Sequence, residues 1–376
     1  MTARNLFESR AVIKVLGVGG GGCNAVNRMI QTSVEGVHFV ALNTDMQALD
    51  VSFASTRIAL GRGTTRGLGT GGDPTRGHAA AKESEREIME QVEGADMVFV
   101  TAGMGGGTGT GAAPVVAELA KRMDILTVGV VTRPFGFEGP KRRRIAEEGI
   151  ERIKEHVDTL IVIPNEKLLS VVERRTSLQD AFLYADDVLR QGVQGISDII
   201  MRPGMINVDF ADVRSVMKGA GVALMGLGRG TGEKRARVAA EMAVSSPLLE
   251  TDIQGAKRLL VNITSGPDFS LGEAQDAMEY IIQFADADEA SIYMGQVFDD
   301  SMGEQVSITL LAAGMHHVPT TFRDREVFVV ADAPDAQPEL EPLTTTTETS
   351  RRNLEAVSLD EIDFDIPAFL RSQKSR

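Results

Sequence analysis

The chain has no tryptophan, a single cysteine and few aromatic residues, which make up 5% of its 376 positions. One cysteine, Cys23, excludes an internal disulfide framework and is typical of a reducing compartment. Basic residues are also scarce: 39 Lys and Arg against 53 Asp and Glu leave a net charge of −14, which argues against a nucleic-acid surface. No apolar run is long enough to cross a bilayer, and residues 1–10 lack the apolar centre of a signal peptide. We therefore expect a cytoplasmic protein without direct membrane insertion.

Glycine, in contrast, is concentrated in one heptad, Gly105-Gly106-Gly107-Thr108-Gly109-Thr110-Gly111. The heptad follows a strand-like run at 97–101 and precedes a helix-like run at 112–122. Glycines in this position let backbone N–H groups converge on an anion, and the helix dipole adds partial positive charge. The heptad contains no lysine, so it is not the GxxxxGK[ST] loop. It predicts a phosphate-binding turn, with a flexible glycine linker as the alternative.

A second glycine turn lies near the start of the chain. Gly17, Gly19 and Gly22 match GxGxxG between a strand and a helix, and Asp45 follows at the distance of a ribose contact. This pattern alone favours a nicotinamide-dependent dehydrogenase as a competing function. A dinucleotide, however, leaves the heptad without a role. Two glycine turns on neighbouring strands are better suited to a triphosphate held from both sides.

Strand-like and helix-like segments alternate along most of the chain. Strands are predicted at 12–18, 37–42, 57–60, 97–101, 125–131 and 159–163, with helices at 24–32, 79–92 and 112–122. This alternation predicts a parallel sheet covered on both faces. Residues 177–200 predict one long helix with Ser177 as its N-cap. The alternation then resumes, and we expect the last two strands, 290–297 and 306–312, to pair antiparallel.

The chain end has a different composition. Residues 331–357 are rich in Pro, Thr, Glu and Asp and contain too few apolar residues to offset chain entropy, so they predict a disordered linker. Apolar residues return at 363–371. A short apolar motif on a tether is typical of a partner-binding peptide.

Seven motifs together resemble one family. They are GGGGCN at 19–24, NTD at 43–45, GGGTGTG at 105–111, RPFGFEG at 133–139, PNEKLL at 164–169, NVDFADV at 207–213 and DIPAFL at 365–370. This set is similar to that of FtsZ, the family of bacterial tubulin-like division GTPases, and the resemblance covers nearly the whole chain. It implies an α/β protein of the tubulin/FtsZ type. We expect a Rossmann-like GTP-binding domain at 1–176, a central helix at 177–202, a smaller α/β domain at 203–317, a poorly ordered segment and linker at 318–357, and a partner-binding peptide at 358–376.

The resemblance also implies the nucleotide site. The GTP-binding candidates are Gly19, Gly20, Gly21, Gly22, Cys23, Asn24, Asn43, Gly103, Gly105, Gly106, Gly107, Thr108, Gly109, Thr110, Glu138, Arg142, Asn165, Phe182 and Asp186. Phe182 would stack on guanine, and the carboxylate of Asp186 would accept from the two donors that only guanine presents there. Plainer readings exist: Phe182 as core, Asp186 as half of an exposed acidic pair, Arg142 as one charge in a solvated run, and the asparagines as turn residues.

The family further implies catalysis between subunits. Asn207, Asp209 and Asp212 would complete the site of a neighbour in a head-to-tail filament, the two carboxylates orienting the attacking water. Without the family, helix N-capping is the simpler interpretation of either aspartate. GTP and GDP are the implied nucleotides, with Mg²⁺ held mainly by the phosphates.

The implied partners are further copies of the chain and membrane-tethering or regulatory division proteins, which would bind Asp365, Ile366, Pro367, Phe369 and Leu370. The expected location is a division ring at midcell. A tubulin-like filament protein with another task, a dehydrogenase and a catalytically silent scaffold remain as alternatives.

Overall fold

The computed structural model describes residues 11–315 except 171, 173–174, 203 and 250. The predicted linker at 331–357 and the predicted partner-binding peptide lie outside the described residues. The strands within the described part are β1 (Ile13–Val18), β2 (Val37–Asn43), β3 (Thr56–Ala59), β4 (Met97–Gly103), β5 (Leu126–Arg133), β6 (Thr159–Pro164), β7 (Gly221–Gly230), β8 (Arg258–Ser265), β9 (Ser291–Phe298) and β10 (Val306–Ala313).

These strands form one twisted sheet in the order β3-β2-β1-β4-β5-β6-β7-β10-β8-β9. Neighbours pair in parallel except around β10, which runs antiparallel to both β7 and β8. The central strands β1, β4 and β5 are buried along most of their length, as expected for a parallel sheet covered on both faces. The predicted α/β architecture is therefore confirmed.

Helices cover the sheet. They are α1 (Gly19–Gln31), α2 (Met46–Asp50), α3 (Arg62–Thr65), α4 (Pro74–Glu83), α5 (Glu85–Val92), α6 (Thr108–Arg122), α7 (Pro140–Lys154), α8 (Asn165–Leu168), α9 (Leu178–Met201), α10 (Phe210–Met217), α11 (Arg235–Val244) and α12 (Leu271–Ile282). The long helix α9 begins where predicted, because the Ser177 hydroxyl accepts from the backbone N–H of Asp180 at 3.1 Å.

Three apolar clusters fill the layers. One lies between the first sheet half and α4 to α7, and another lies beneath α11 and α12. The largest runs from β1 to β10 under α1, α9 and α10, so it joins the two halves of the chain. Direct pairing between the halves is short, since β6 and β7 are in register over only three residue pairs. The predicted domain boundaries stay predictions.

The pairing expected for the last two strands is wrong. β9 pairs in parallel with β8, and β10 instead lies between β7 and β8. The difference follows burial: β10 is buried at most positions, whereas β9 is partly exposed over its first half and occupies the edge. The more apolar strand takes the interior place, where both of its faces are covered.

The bounds of all three helices predicted in the first half also differ: the helix expected from 112 begins at Thr108, and the one expected from 79 begins at Pro74. The helix expected at 79–92 is divided at Ser84, whose hydroxyl accepts from the N–H of Gly61 at 3.0 Å. The helix expected from 24 begins at Gly19, so the first glycine turn forms the opening turn of α1. The earlier start of α1 places several glycine N–H groups at a helix N-terminus.

Candidate active site

A cavity of about 390 Å³ lies at the carboxyl ends of β1, β4, β5 and β6. After β1, the chain forms β2 and β3 on one side of that strand and then crosses over to form β4 on its other side. The cavity therefore lies at the switch point of the sheet, where α/β folds bind ligands. Its walls come from the two glycine turns, from the segment after β5 and from α9.

Two helix N-termini face this cavity. α1 begins at Gly19 and α6 at Thr108, and neither helix has a side-chain cap or an acidic residue in its first turn. Within the described part of the chain, the opening N–H groups of both helices therefore have no side-chain acceptor, and both dipoles place partial positive charge at the same cavity. Such an arrangement can bind anions such as phosphate.

The glycines of the two turns fall into two classes. A Cβ at Gly107 would lie 2.1 Å from the Thr70 hydroxyl, and one at Gly109 would lie 2.7 Å from the Gly103 carbonyl, so packing requires glycine there. A Cβ at Gly20 or Gly106 would meet no protein atom within 4 Å, and neither residue has a positive φ. The fold does not need glycine at these two positions, which both line the cavity. A ligand can therefore approach the backbone closely at both positions.

Threonine hydroxyls surround the start of α6. Thr108 lies 2.6 Å from the Thr44 hydroxyl and 3.5 Å from that of Thr70. Thr44 follows β2, and Thr70 belongs to the loop between α3 and α4, so three separate segments meet here. This end of the cavity is thus lined by hydroxyl and N–H donors.

The next part of the cavity carries Glu138, Arg142, Asn24 and Asn165. Glu138 accepts from Arg142 and from the backbone N–H of Phe135, which fixes the turn after β5. Asn165 is 4% exposed, and its side-chain oxygen has no hydrogen-bond partner among the residues that the structure describes. A buried acceptor left unpaired in a cavity wall is costly unless a ligand donates to it, and a ribose hydroxyl fits that need.

The far wall is a face of α9 with Phe182 and Asp186. Phe182 is 39% exposed and packs edge-on against Phe135 and Phe137, with ring centroids 5.3 and 6.4 Å away. One face of a planar base can stack in such an aromatic cluster. Burial raises the pKa of the Asp186 carboxyl to about 7, although the charge of Arg28 opposes this rise.

Asp186 is not half of an exposed acidic pair. Its neighbour Asp187 points away and accepts from Arg28, Arg190 and Gln191 at 2.7–3.3 Å. Asp186 itself has no hydrogen-bond or ion-pair partner among the described residues, and it borders the cavity. A carboxylate in that position can accept from a base edge.

Thirteen of the predicted nucleotide contacts line the cavity: Gly20, Gly21, Asn24, Gly103, Gly106, Gly107, Thr108, Gly109, Glu138, Arg142, Asn165, Phe182 and Asp186. Six others do not line it, namely Gly19, Gly22, Cys23, Asn43, Gly105 and Thr110. These six support the turns; for example, the Thr110 hydroxyl accepts from the N–H of Gly105 at 2.9 Å.

Cys23 is one of the supporting residues. It is 2% exposed, and its thiol lies near the carbonyls of Gly17 and Leu42. The side-chain amide of Asn43 donates to its sulfur. Burial raises the pKa of the thiol to about 12, against weaker opposing effects of Asn43 and Leu42. Cys23 is thus a small buried side chain rather than a reactive thiolate.

Six lining residues were not predicted: Thr70, Met104, Thr132, Pro134, Ala185 and Leu189. Ala185 and Leu189 follow Phe182 by three and seven positions, so helical periodicity alone could have placed them on the same face. Thr132 and Pro134 surround the end of β5, where a parallel sheet places ligand contacts. Thr70 has no comparable sequence signal.

Asp45 does not fit the dinucleotide interpretation. Its carboxylate accepts from the N–H of Gln47 at 2.9 Å and caps α2, and its backbone bridges to Leu68. It does not line the cavity. The ribose contact that the GxGxxG pattern suggested is therefore absent from the described site.

The segment 207–213, which carries Asn207, Asp209 and Asp212, lies far from this cavity. α9 rises about 1.5 Å per residue, so its carboxyl end at Met201 lies about 22 Å along the helix from Asp186, and the segment follows a few residues later. Beyond the segment, Arg214 and Lys218 pair with Asp124 at 3.3 and 3.1 Å, at the amino end of β5. The segment is thus close to the amino ends of the strands, whereas the cavity lies at their carboxyl ends.

The three predicted residues of the segment have different surroundings. Asp209 is the N-cap of α10 and accepts from the N–H of Asp212 at 2.8 Å, while Asn207 accepts from the N–H of Gly204 at 2.7 Å. The partly exposed carboxylate of Asp212 has no partner among the described residues. Capping therefore accounts for Asp209 but not for Asp212.

Within the described residues, no helix is long and apolar enough to cross a membrane. The same part of the chain contains no group of three His, Cys, Asp or Glu side chains arranged to hold a metal ion.

Comparison with known proteins gives two family matches. The model of the Tubulin/FtsZ family, GTPase domain, matches residues 12–173, and that of the FtsZ family, C-terminal domain, matches residues 221–316. The curated cell division protein FtsZ of Pseudomonas aeruginosa is 51% identical over 382 aligned positions, which cover 96% of this chain and 97% of the relative.

Two solved structures are similar to this chain over most of its length. An empty FtsZ dimer of M. jannaschii is 45% identical with a TM-score of 0.79, and the match covers 83% of this chain and 90% of that one. A protofilament of CetZ2 from Haloferax volcanii, bound to GTPγS, is 20% identical with a TM-score of 0.66, covering 81% and 93%. At 20% identity, this similarity shows a shared fold and nothing more.

Proposed function

The chain belongs to the tubulin/FtsZ family as a cell division GTPase of the FtsZ type, and from this premise we propose how it holds GTP and hydrolyses it. The observation that carries the proposal is the cavity with two uncapped helix N-termini at one end and the unpaired carboxylate of Asp186 at the other. Such a cavity fits a nucleotide with its triphosphate between the glycine turns and its base against α9.

In this arrangement the phosphates accept from backbone N–H groups at Gly20, Gly21 and Gly106–Gly109 and from the Thr108 hydroxyl. Arg142 is the cationic side chain among the lining residues, and it would balance part of the phosphate charge. Mg²⁺ would be held mainly by the phosphates, where it would neutralise developing charge on their oxygens.

Ribose hydroxyls would donate to Glu138 and to the unpaired oxygen of Asn165. Guanine would stack on Phe182, and Asp186 would accept from N1–H and from the 2-amino group. Adenine offers an acceptor where guanine offers N1–H, so an ionised carboxylate discriminates against it.

The cavity lacks a free carboxylate at its phosphate end. Among its lining residues the carboxylates are Glu138, which pairs with Arg142, and Asp186, which lies at the base end. We therefore propose that Asp212, supported by Asp209 and the loop of Asn207, serves the nucleotide of the next subunit in a head-to-tail filament. The carboxylates would orient the attacking water, and a head-to-tail contact extends without closing.

The wider setting is proposed from the family and the tail sequence. The protein would assemble in the cytoplasm into a ring at midcell. Asp365, Ile366, Pro367, Phe369 and Leu370 would bind a membrane-tethered or regulatory division protein, with 331–357 as the tether.

The variant Asp212→Ala tests the shared site. Asp212 is the better choice than Asp209, since Asp209 caps α10 and its loss would cost about 1 kcal/mol of stability. We expect unchanged GTP affinity, persistent filaments and phosphate release slower by about 100-fold. Asp288→Ala, which removes an exposed aspartate after α12, is the matched control and should behave like the wild type. Loss of GTP binding by folded Asp212→Ala would contradict the placement.

A further inference from the structure

The outer edge of β9 is open over its first half. Among the described residues, β9 pairs only with β8 and ends the sheet. The N–H of Ser291 donates toward β8 at 2.8 Å, whereas the N–H of Gln296 donates outward to Ile206 at 3.0 Å. Because the direction alternates along a strand, Ile292 and Met294 also point outward, and the described part of the chain supplies no partner for their backbone groups. An open edge of this kind can pair with another strand.

Apolar side chains surround this open edge on both faces of the sheet. Met294 borders a cavity of about 270 Å³ together with Phe298 and Leu271, and Leu271 is 84% exposed. On the other face, the partly buried Tyr293 packs against the cluster that lies under α9 and α10. A strand added here would therefore have apolar surface beside both of its faces, as in the interior of a parallel sheet.

The sequence beyond Met315 contains one run that suits this place. Residues 327–330, Val-Phe-Val-Val, are β-branched or aromatic, which favours a strand. Together with Ala331 they form the longest uninterrupted apolar run after residue 315. Because none of the four is polar, the run suits a strand whose two faces both meet apolar side chains. The apolar motif of the tail, in contrast, is interrupted by Asp365 and Pro367.

The end of β10 places this run within reach of the open edge. Ala313 is in register with Arg258 on β8, and Arg258 is in register with Ser291 on β9. The chain therefore leaves β10 level with the start of β9 and two strand spacings away, about 10 Å. The open side of β9 lies one spacing further, at about 14 Å, and the eleven residues 316–326 span up to about 36 Å when extended.

We propose that residues 327–330 dock on the same chain as a further strand of the sheet, parallel to β9 and alongside residues 291–294. Their number matches the edge that remains open before Ile206 covers Gln296. Docking supplies the missing backbone partners of β9, and it covers an edge that could otherwise pair with the edge of another molecule. The segment expected to be poorly ordered, 318–357, would then contain an ordered part, and the tether would begin after it.

The lack of tryptophan in the chain provides a direct test. Phe328→Trp in the full chain introduces a single indole, and Leu340→Trp in the linker is its matched control. If residues 327–330 dock, the fluorescence of Phe328→Trp should be blue-shifted, and acrylamide should quench it several-fold less than it quenches Leu340→Trp. Urea that unfolds the protein should remove this difference. Equal emission and equal quenching of the two variants in the folded protein would overturn the proposal.

A second substitution tests whether the docking site is the edge of β9. Ile292→Pro removes an N–H that points away from β8, so β9 can retain its pairing with β8. Combined with Phe328→Trp, it should raise quenching toward the level of Leu340→Trp, and the urea midpoint shows that the fold is retained. Unchanged quenching in the folded double variant would mean that the segment docks elsewhere, which would contradict the proposal.

Hydrogen exchange gives the same comparison without a change in the fold. The amides of Ile292 and Met294 should exchange slowly in the wild type and several-fold faster when Val327→Asp and Val329→Asp are combined. Equal exchange in the two proteins would refute the docking.

Dilution distinguishes docking within one chain from docking on a second copy. Within one chain, the emission of Phe328→Trp should not depend on protein concentration. A blue shift that disappears on dilution would mean that the segment pairs with the edge of another molecule, and it would contradict the proposal.

Discussion

Gly20→Ala tests whether the first glycine turn binds phosphate. Gly20 is the second residue of α1, its φ is not positive, and a Cβ there meets no protein atom within 4 Å. The fold can therefore accept alanine. Because alanine is a better helix former than glycine, we expect the free energy of unfolding to stay the same or to rise by at most about 1 kcal/mol.

Nucleotide binding should respond in the opposite direction. The added methyl group points into the space that the phosphates are proposed to occupy, and it would separate them from at least one backbone N–H group. A hydrogen bond to a charged group contributes about 1.5–3 kcal/mol, which corresponds to a rise in the GTP dissociation constant of roughly 10- to 150-fold.

Gly272→Ala is a closely matched control. Gly272 is the second residue of α12, has no positive φ and likewise has no protein atom within 4 Å of a Cβ, but it does not border the nucleotide cavity. Competition binding with unassembled protein and thermal unfolding should be measured for both variants. Equal GTP affinity of Gly20→Ala and Gly272→Ala would refute the assignment of the phosphate site.

Three other predictions concern stability, reactivity and recruitment. The Arg235 guanidinium is 7% exposed and pairs with two carboxylates. Arg235→Ala should therefore lower the free energy of unfolding, measured in urea, by about 3 kcal/mol. The control Arg237→Ala, which removes an exposed ion pair, should lower the free energy of unfolding by about 1 kcal/mol or less. Cys23, with its raised pKa and 2% exposure, should resist iodoacetamide at pH 8 until urea unfolds the protein, and rapid alkylation of the folded state would contradict its burial. Phe369→Ala should reduce binding to vesicles that carry a division partner without changing GTP-dependent light scattering. Leu340→Ala, in the linker, should leave both vesicle binding and light scattering unchanged. Equal vesicle binding by the two variants would mean that the tail acts only as a spacer.

The sequence was most informative where function depends on local chemistry. Gly20 and Gly106 were predicted from the sequence as binding residues because a glycine turn between a strand and a helix has few uses, and both line the cavity. Phe182 and Asp186 lie four residues apart on one helix, so they share a face in any helical arrangement. The placement of these four residues at the cavity follows from sequence spacing together with the family motifs.

Contacts between distant segments were less predictable. Thr70 reaches Thr108 only because the loop between α3 and α4 folds back over the start of α6, and no spacing in the sequence indicates that. The place of β10 between β7 and β8 likewise depends on which strand gains most from burial on both faces. The contrast between Asp209 and Asp212 also required the structure, since only the hydrogen bonds identify Asp209 as the cap of α10.

The measurement that tests the central claim most directly follows phosphate release and light scattering in the same sample over a series of protein concentrations with GTP. If Asp212 of one subunit completes the site of the next, turnover per subunit should be near zero below the concentration at which scattering begins. Above that concentration it should rise together with the assembled fraction. Constant turnover per subunit down to dilutions without filaments would contradict the shared site.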